Sequence, residues 1–144
     1  MNNYATQAIE QSGIIKNVVC SENGRKFLLK NDSGKNIIKL HVDGKLIKTG
    51  VRCDYAIDVE AGDTVYLIEL KGSDKEHAFE QLLTTLDYFT KTYETKNYYC
   101  RAVFSRVKAP NLIGKFEKLL IRAVKEHKCK DYDTACVVYD KDIV

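Results

Sequence analysis

Glu69 and Lys71 stand two positions apart at the end of the apolar run "TVYLIELK", and Asp54 lies upstream in "VRCDYAIDV". Side chains alternate faces along a strand, so Glu69 and Lys71 share one face and Leu70 takes the other. The "EAGD" between the two segments reads as a tight turn centred between Ala61 and Gly62. Counted outward from that centre, Glu60 opposes Asp63 and Asp54 opposes Glu69, with Cβ atoms about 4.5–5.5 Å apart. Like charges so placed destabilise a sheet unless a cation lies between them or one of them takes up a proton. Mg2+ is a hard ion that accepts carboxylate and backbone carbonyl oxygens and keeps several waters. Lys71, one pleat further on, can hold an attacking water or stabilise charge on a phosphate. The competing account is a surface hairpin in which Lys71 neutralises two solvated acids. The apolar neighbours of Glu69 on both faces of "YLIEL" oppose it.

The elements that must carry these residues are legible around them. Ser73 and Glu76 have the spacing of a capping box, which predicts a helix starting almost directly after Lys71. Ala78, Leu82, Leu86 and Phe89 give that helix an apolar stripe, and Gln81 lies on it. Upstream, "NYATQAIEQSG" reads as a short helix closed by Gly13. Turn signals at Asn23-Gly24, 31–34, Asp43-Gly44 and Gly50 separate "RKFLLK", "NIIKLHV" and "KLIKT", the expected strands of an antiparallel meander. "VRCDYAIDV" and "TVYLIELK" continue it. "YYCRAVFSRV" is a further strand, Pro110 and Asn111 open a second helix, and "TACVVYD" is a last strand. Strands followed by helix, strand, helix and strand predict an α/β or α+β fold, a central mixed sheet flanked by helices.

The chain has 144 residues, enough for one self-supporting domain, and we read residues 1–144 as one. No apolar run reaches the roughly 18 residues of a membrane span. The first residues lack a basic stretch followed by an apolar one, so no signal peptide is expected. Five cysteines without a CxxC pair read as reduced thiols, which points to a cytoplasmic protein. His127, Cys129 and Cys136 fit no common zinc spacing. Net charge is only +3, but residues 1–50, 51–90 and 91–144 carry +4, −6 and +5. An acidic centre between basic ends suits a cation site within a polyanion-binding surface.

Asp54, the Glu69-x-Lys71 pair on the next strand and a capped helix bearing Gln81 resemble, in that order, the PD-(D/E)xK phosphodiesterase superfamily. The resemblance covers about residues 51–90, and the order of elements extends it loosely over most of the chain. It implies a restriction-endonuclease-like core. It also implies that Asp54, Glu69 and the backbone carbonyl of Leu70 ligate Mg2+, with Mn2+ able to substitute. Lys71 would be the catalytic lysine, and Gln81 would orient water or the nucleic-acid backbone. Some branches add a first-helix acid at the metal, and Glu10 is the acid available for that role. Two positions depart from the pattern: Cys53 stands where a Pro is usual, and Thr85 where the RecB branch has Tyr.

Further residues could serve a polyanion. His77, four before Gln81 on the same helix face, could touch phosphate or carry a proton. Lys115, Lys118, Arg122 and Lys125 form a basic stripe opposite the apolar face of the second helix, and Arg106, Lys108, Lys45 and Lys48 are additional candidates for phosphate contacts. The function expected is an Mg2+-dependent nuclease acting on DNA, structure-specific or weakly sequence-specific given the small size. Cutting two strands needs two sites, which a homodimer would supply. The alternative is a catalytically silent module of the same fold that binds nucleic acid or a protein.

Overall fold

The apolar centre of the chain becomes the centre of the sheet. In the computed structural model, which describes residues 2–106 and 112–144, β5 (Tyr55–Val59) and β6 (Thr64–Lys71) form an antiparallel hairpin. Tyr55 faces Ile68 and Val59 faces Thr64, which is the register the "EAGD" turn predicts. The turn is tight because Glu60, Ala61 and Gly62 all take positive φ (56°, 52° and 90°). The Gly62 N–H donates to Asp58 Oδ1 at 2.7 Å. A Cβ on Gly62 would come within 2.7 Å of the Glu94 carbonyl oxygen, so both its φ and its surroundings demand glycine.

β4 (Asn36–His41) pairs antiparallel with β5, and β1 (Ile9–Ile14) with β4. On the other side β7 (Asn97–Phe104) runs parallel to β6, and β8 (Asp131–Cys136) parallel to β7. The result is a mixed six-stranded sheet in the order β1-β4-β5-β6-β7-β8. α1 (Lys75–Thr92) is the crossover between β6 and β7, and α2 (Lys115–Lys125) that between β7 and β8. A second sheet is built from the hairpin of β2 (Asn17–Glu22) and β3 (Arg25–Lys30), with β9 (Val138–Ile143) parallel to β3.

These pieces stack in three layers, in agreement with the α+β class. One core, between the helices and the large sheet, holds Leu67, Phe79, Leu82, Phe89, Cys100 and Leu120. The other, between the two sheets, holds Phe27, Leu29, Ile57, Ile68, Val103 and Tyr139. β6 is therefore buried on both faces, which explains why its sequence is a continuous apolar run and not an alternating one. No helix among the described residues is long and apolar enough to cross a membrane.

Four local expectations are corrected. The predicted first helix is a short 3-10 turn (Thr6–Ala8) followed by β1. Its sequence offers only Tyr4, Ala8 and Ile9 to bury, too few for a helix face, so its backbone gains more by pairing with the edge of β4. "KLIKT" is not a strand: Leu46 and Ile47 donate their N–H groups back to the Val42 carbonyl, and β5 takes the place beside β4. "TACVVYD" is two strands, because Val137 at φ 66° breaks the chain and sends β9 to the second sheet. The helix after Lys71 is capped by Asp74, whose Oδ1 accepts the His77 N–H at 3.0 Å.

Glu76 caps the other helix instead. Its carboxylate accepts the N–H groups of Phe116 (2.9 Å) and Glu117 (3.2 Å) at the start of α2. Glu76 thereby joins the N-termini of α1 and α2 at the end of the sheet where β6 stops. Pro110 and Asn111, expected to open the second helix, lie outside the described residues, as does Lys108.

Candidate active site

β5 and β6 separate at the end of their ladder, and Asp54 fills the gap. Its carbonyl accepts the Val42 N–H at 2.9 Å. Its carboxylate turns to β6, where Oδ2 accepts the Leu70 N–H at 2.8 Å. A side chain thus replaces the backbone acceptor at the position where the strands part. That bond holds Asp54 against the Glu69-Leu70-Lys71 segment. Leu70 itself points into the core between the sheets and takes part through its main chain.

α1 grips the approach to Asp54. Gln81 Nε2 donates to the Arg52 carbonyl at 3.1 Å, and the Cys53 N–H donates to Thr85 Oγ1 at 2.8 Å. Thr85 Oγ1 donates in turn to the Gln81 carbonyl at 2.8 Å. Gln81 and Thr85, four apart on one helix face, therefore hold the Arg52–Cys53 peptide unit at both its carbonyl and its N–H, just before Asp54. The role of Thr85 was not anticipated. A threonine inside an apolar stripe, one helical turn after Gln81, was the signal that could have revealed it.

The pair is electrostatically costly. Asp54 and Glu69 are 8% and 1% exposed. Burial, and then the charge of Asp54, push the Glu69 carboxyl up to about 9, against the pull of Lys71. Burial raises Asp54 too; the Leu70 N–H opposes this, and the charge of Glu22 adds to it. Glu69 Oε1 and Gln81 Oε1 are buried oxygens without a hydrogen-bond partner among the described residues. Buried acceptors left open in this way are rare and call for an explanation.

The donor set consists of oxygens, the chemistry a hard divalent cation selects. Among the described residues no group of three or more His, Cys, Asp and Glu side chains converges to hold a metal. The two carboxylates fit a cation that takes its remaining ligands from backbone carbonyls and water, as Mg2+ commonly does.

A pH dependence follows from the raised Glu69. In the unfolded chain the group ionises near 4.5, and in the folded protein near 9. Between these values the folded state holds a proton that the unfolded state has lost, so stability falls as pH rises through the window. The slope contributed is at most about 1.4 kcal/mol per pH unit. Urea denaturation from pH 5 to 9 in chelator is expected to show wild type losing stability relative to Glu69→Gln as pH rises. Parallel curves for the two proteins would refute the raised value.

Other sequence candidates fall at varied distances from this pair. Glu10 lies in a bulge of β1, where its carboxylate meets Lys39 Nζ at 3.1 Å and His41 Nδ1 at 3.8 Å. It is on an edge strand and not on a helix. His77 is turned to Glu80, with Nδ1 at 3.4 Å. Lys45 and Lys48 are exposed on the loop between β4 and β5, and Arg106 is exposed just beyond β7. Lys115, Lys118, Arg122 and Lys125 are exposed along α2. The Glu76 cap brings the start of that stripe to the N-terminal end of α1, and with it to the end of the sheet that bears Lys71. A groove of about 590 Å3 between α1 and α2, lined by Leu83, Phe116, Leu119 and Arg122 among others, includes none of Asp54, Glu69 or Lys71.

The chain matches no protein-family model, no curated protein and no solved structure.

Proposed function

We propose that this protein is a divalent-cation-dependent nuclease built on a restriction-endonuclease-like core, with DNA as its substrate. One observation carries the reading. Two buried carboxylates, Asp54 and Glu69, meet where β5 and β6 part, with an open acceptor oxygen on Glu69 and Lys71 next along the same face. Neither acid is matched by an ion-paired base among the described residues, so the two are held together either by a cation or by a proton on Glu69.

Asp54, Glu69 and the Leu70 carbonyl would hold Mg2+ or Mn2+, which supplies Lewis acidity and neutralises charge at a phosphodiester. Asp54 is held in place by the Leu70 N–H and by the grip of Gln81 and Thr85 on the preceding Arg52–Cys53 peptide. Lys71 presents its ammonium to the same face as Glu69. There it can orient a water for attack and offset the negative charge that develops on the phosphate oxygens. Gln81 Oε1, buried and without a partner among the described residues, would be free to accept from a water at the site. The exposed cations of α2, Arg106, Lys45 and Lys48 would bind the polymer through its backbone, with affinity that falls steeply with salt.

The test is cleavage of single-stranded, duplex and branched DNA and of RNA, with Mg2+, with Mn2+ and with chelator. Cutting of DNA in either metal and none in chelator is the expected outcome. Binding without cutting on every substrate would replace this reading with that of a silent nucleic-acid-binding module.

A further inference from the structure

The second sheet reaches the same end of the molecule. Arg25 opens β3 directly after the Asn23-Gly24 turn, both of whose residues take positive φ. Two bonds tie this end of the hairpin to the large sheet. The Lys26 N–H donates to the Val137 carbonyl at 2.8 Å, and the Val137 N–H to the Phe104 carbonyl at 2.7 Å. Phe104 is the partner of Lys71 in the β6–β7 ladder, and the Ser105 N–H donates to the Gly72 carbonyl at 2.8 Å. Arg25 Nη1 donates to Ser105 Oγ at 2.7 Å. The guanidinium is therefore anchored one ladder step beyond Lys71, on the second-sheet face of the large sheet.

The bond to Ser105 is a poor use of an arginine. Among the described residues it engages one of five donors on a neutral hydroxyl, and Nε is buried with no partner. Glu22 stands directly across the hairpin, yet among the described residues Arg25 makes no ion pair with it. A planar cation with unused donors, at the end of the large sheet that bears the two carboxylates but on the face opposite Glu69 and Lys71, matches the fork geometry of a phosphate group. Arg106, exposed and next to Ser105, adds positive charge on the same side.

We propose that Arg25, carried by the β2–β3 hairpin and anchored on Ser105 beside Lys71, is a phosphate-binding residue that seats the nucleic-acid strand flanking the site. The inference rests on the nuclease reading and extends it to an element outside the Asp54–Gln81 region. It gives the second sheet a task, which is to hold a cation over the polymer.

The experiment measures binding of a fluorescent DNA duplex in chelator, as a function of salt, for wild type, Arg25→Gln, Arg25→Lys and Ser105→Ala. Losing a charged hydrogen bond to phosphate is expected to weaken Arg25→Gln by about tenfold. The slope of log affinity against log salt is expected to fall by roughly 0.9, the share of one phosphate. Arg25→Lys restores the slope but only part of the affinity, a pattern that a merely structural role would not produce. Ser105→Ala keeps the full slope. Thermal melting of each variant identifies any loss due to unfolding, and Arg25→Lys then decides the matter. Wild-type affinity and slope in Arg25→Gln, in a protein whose wild type cuts DNA with Mg2+, would overturn the role of Arg25 and leave the nuclease standing. A wild type that neither binds nor cuts would overturn both.

Discussion

Lys71→Ala is expected to lower the single-turnover rate of DNA cleavage by about a thousandfold, near the upper cost of removing one preorganised charge-stabilising group. Glu69→Gln is expected to lose at least as much, because the amide cannot ligate a cation as a carboxylate does. The two variants fail for different reasons, and other measurements separate them. Lys71→Ala keeps both carboxylates and is expected to retain Mg2+-induced thermal stabilisation. Glu69→Gln removes a buried acid that ionises at a cost, so in chelator at pH 8 it is expected to be more stable than wild type while inactive. That combination distinguishes a functional carboxylate from one needed for folding. Cleavage within tenfold of wild type in either variant would sink the assignment of the site.

The largest stability effect is expected away from the site, at Arg101. This residue sits in the middle of β7 with 3% exposure, on the face toward the second sheet. Its Nε and Nη2 donate to the two oxygens of Asp142 at 2.7 and 3.2 Å. Nη1 donates to Asp131 and to the Cys100 carbonyl. The rings of Tyr66, Tyr99 and Tyr139 surround it, with centroids 5.3–5.8 Å from Cζ. Burial alone would lower the guanidinium's pKa, but the two carboxylates outweigh it and hold the charge in place. Arg101 thus ties β7 to β8 through Asp131 and to β9 through Asp142. Arg101→Met leaves the partly buried Asp142 without its counter-ion, and a loss of about 3 kcal/mol in urea denaturation is expected. Replacing Asp142 by Leu as well is expected to recover much of it, since a matched apolar pair removes the orphaned charge. A loss below about 1 kcal/mol in the single variant would show the network to be hydrated.

Local patterns carried the site's framework, and long-range ones did not. The β5–β6 register follows from one four-residue turn, and α1 from an apolar stripe with a polar cap, so both are readable locally, whereas Asp54 lies just beyond the ladder with its carboxylate on the Leu70 N–H. Ser73 and Asp74 are adjacent candidate caps, and only the position of the first helical turn decides between them. The spacing of Glu76 from Ser73 points to a cap within its own helix, whereas its partners lie at Phe116 and Glu117. β1 depended on the free edge of β4, and the break at Val137 on a positive φ that a β-branched residue rarely takes. Arg25 and Arg101 are ordinary strand residues until the chain is folded. What they do is set by Ser105, Asp131 and Asp142, and no sequence spacing announces those contacts.

The parallel pairing of β3 with β9 joins Lys26 to Val138 and Lys30 to Ile143, strands from opposite ends of the described chain. Synthesis delivers β2 and β3 early and their third partner late. In the interval Phe27 and Leu29 have no Tyr139 to cover them. The emerging polypeptide therefore carries an apolar hairpin that local contacts cannot bury, and closing the fold must wait for a distant segment. The same delay leaves the Arg25 end of the hairpin without its tether to Val137. A half-made chain would hold Asp54 and Glu69 before the hairpin that carries Arg25 is fixed beside the large sheet.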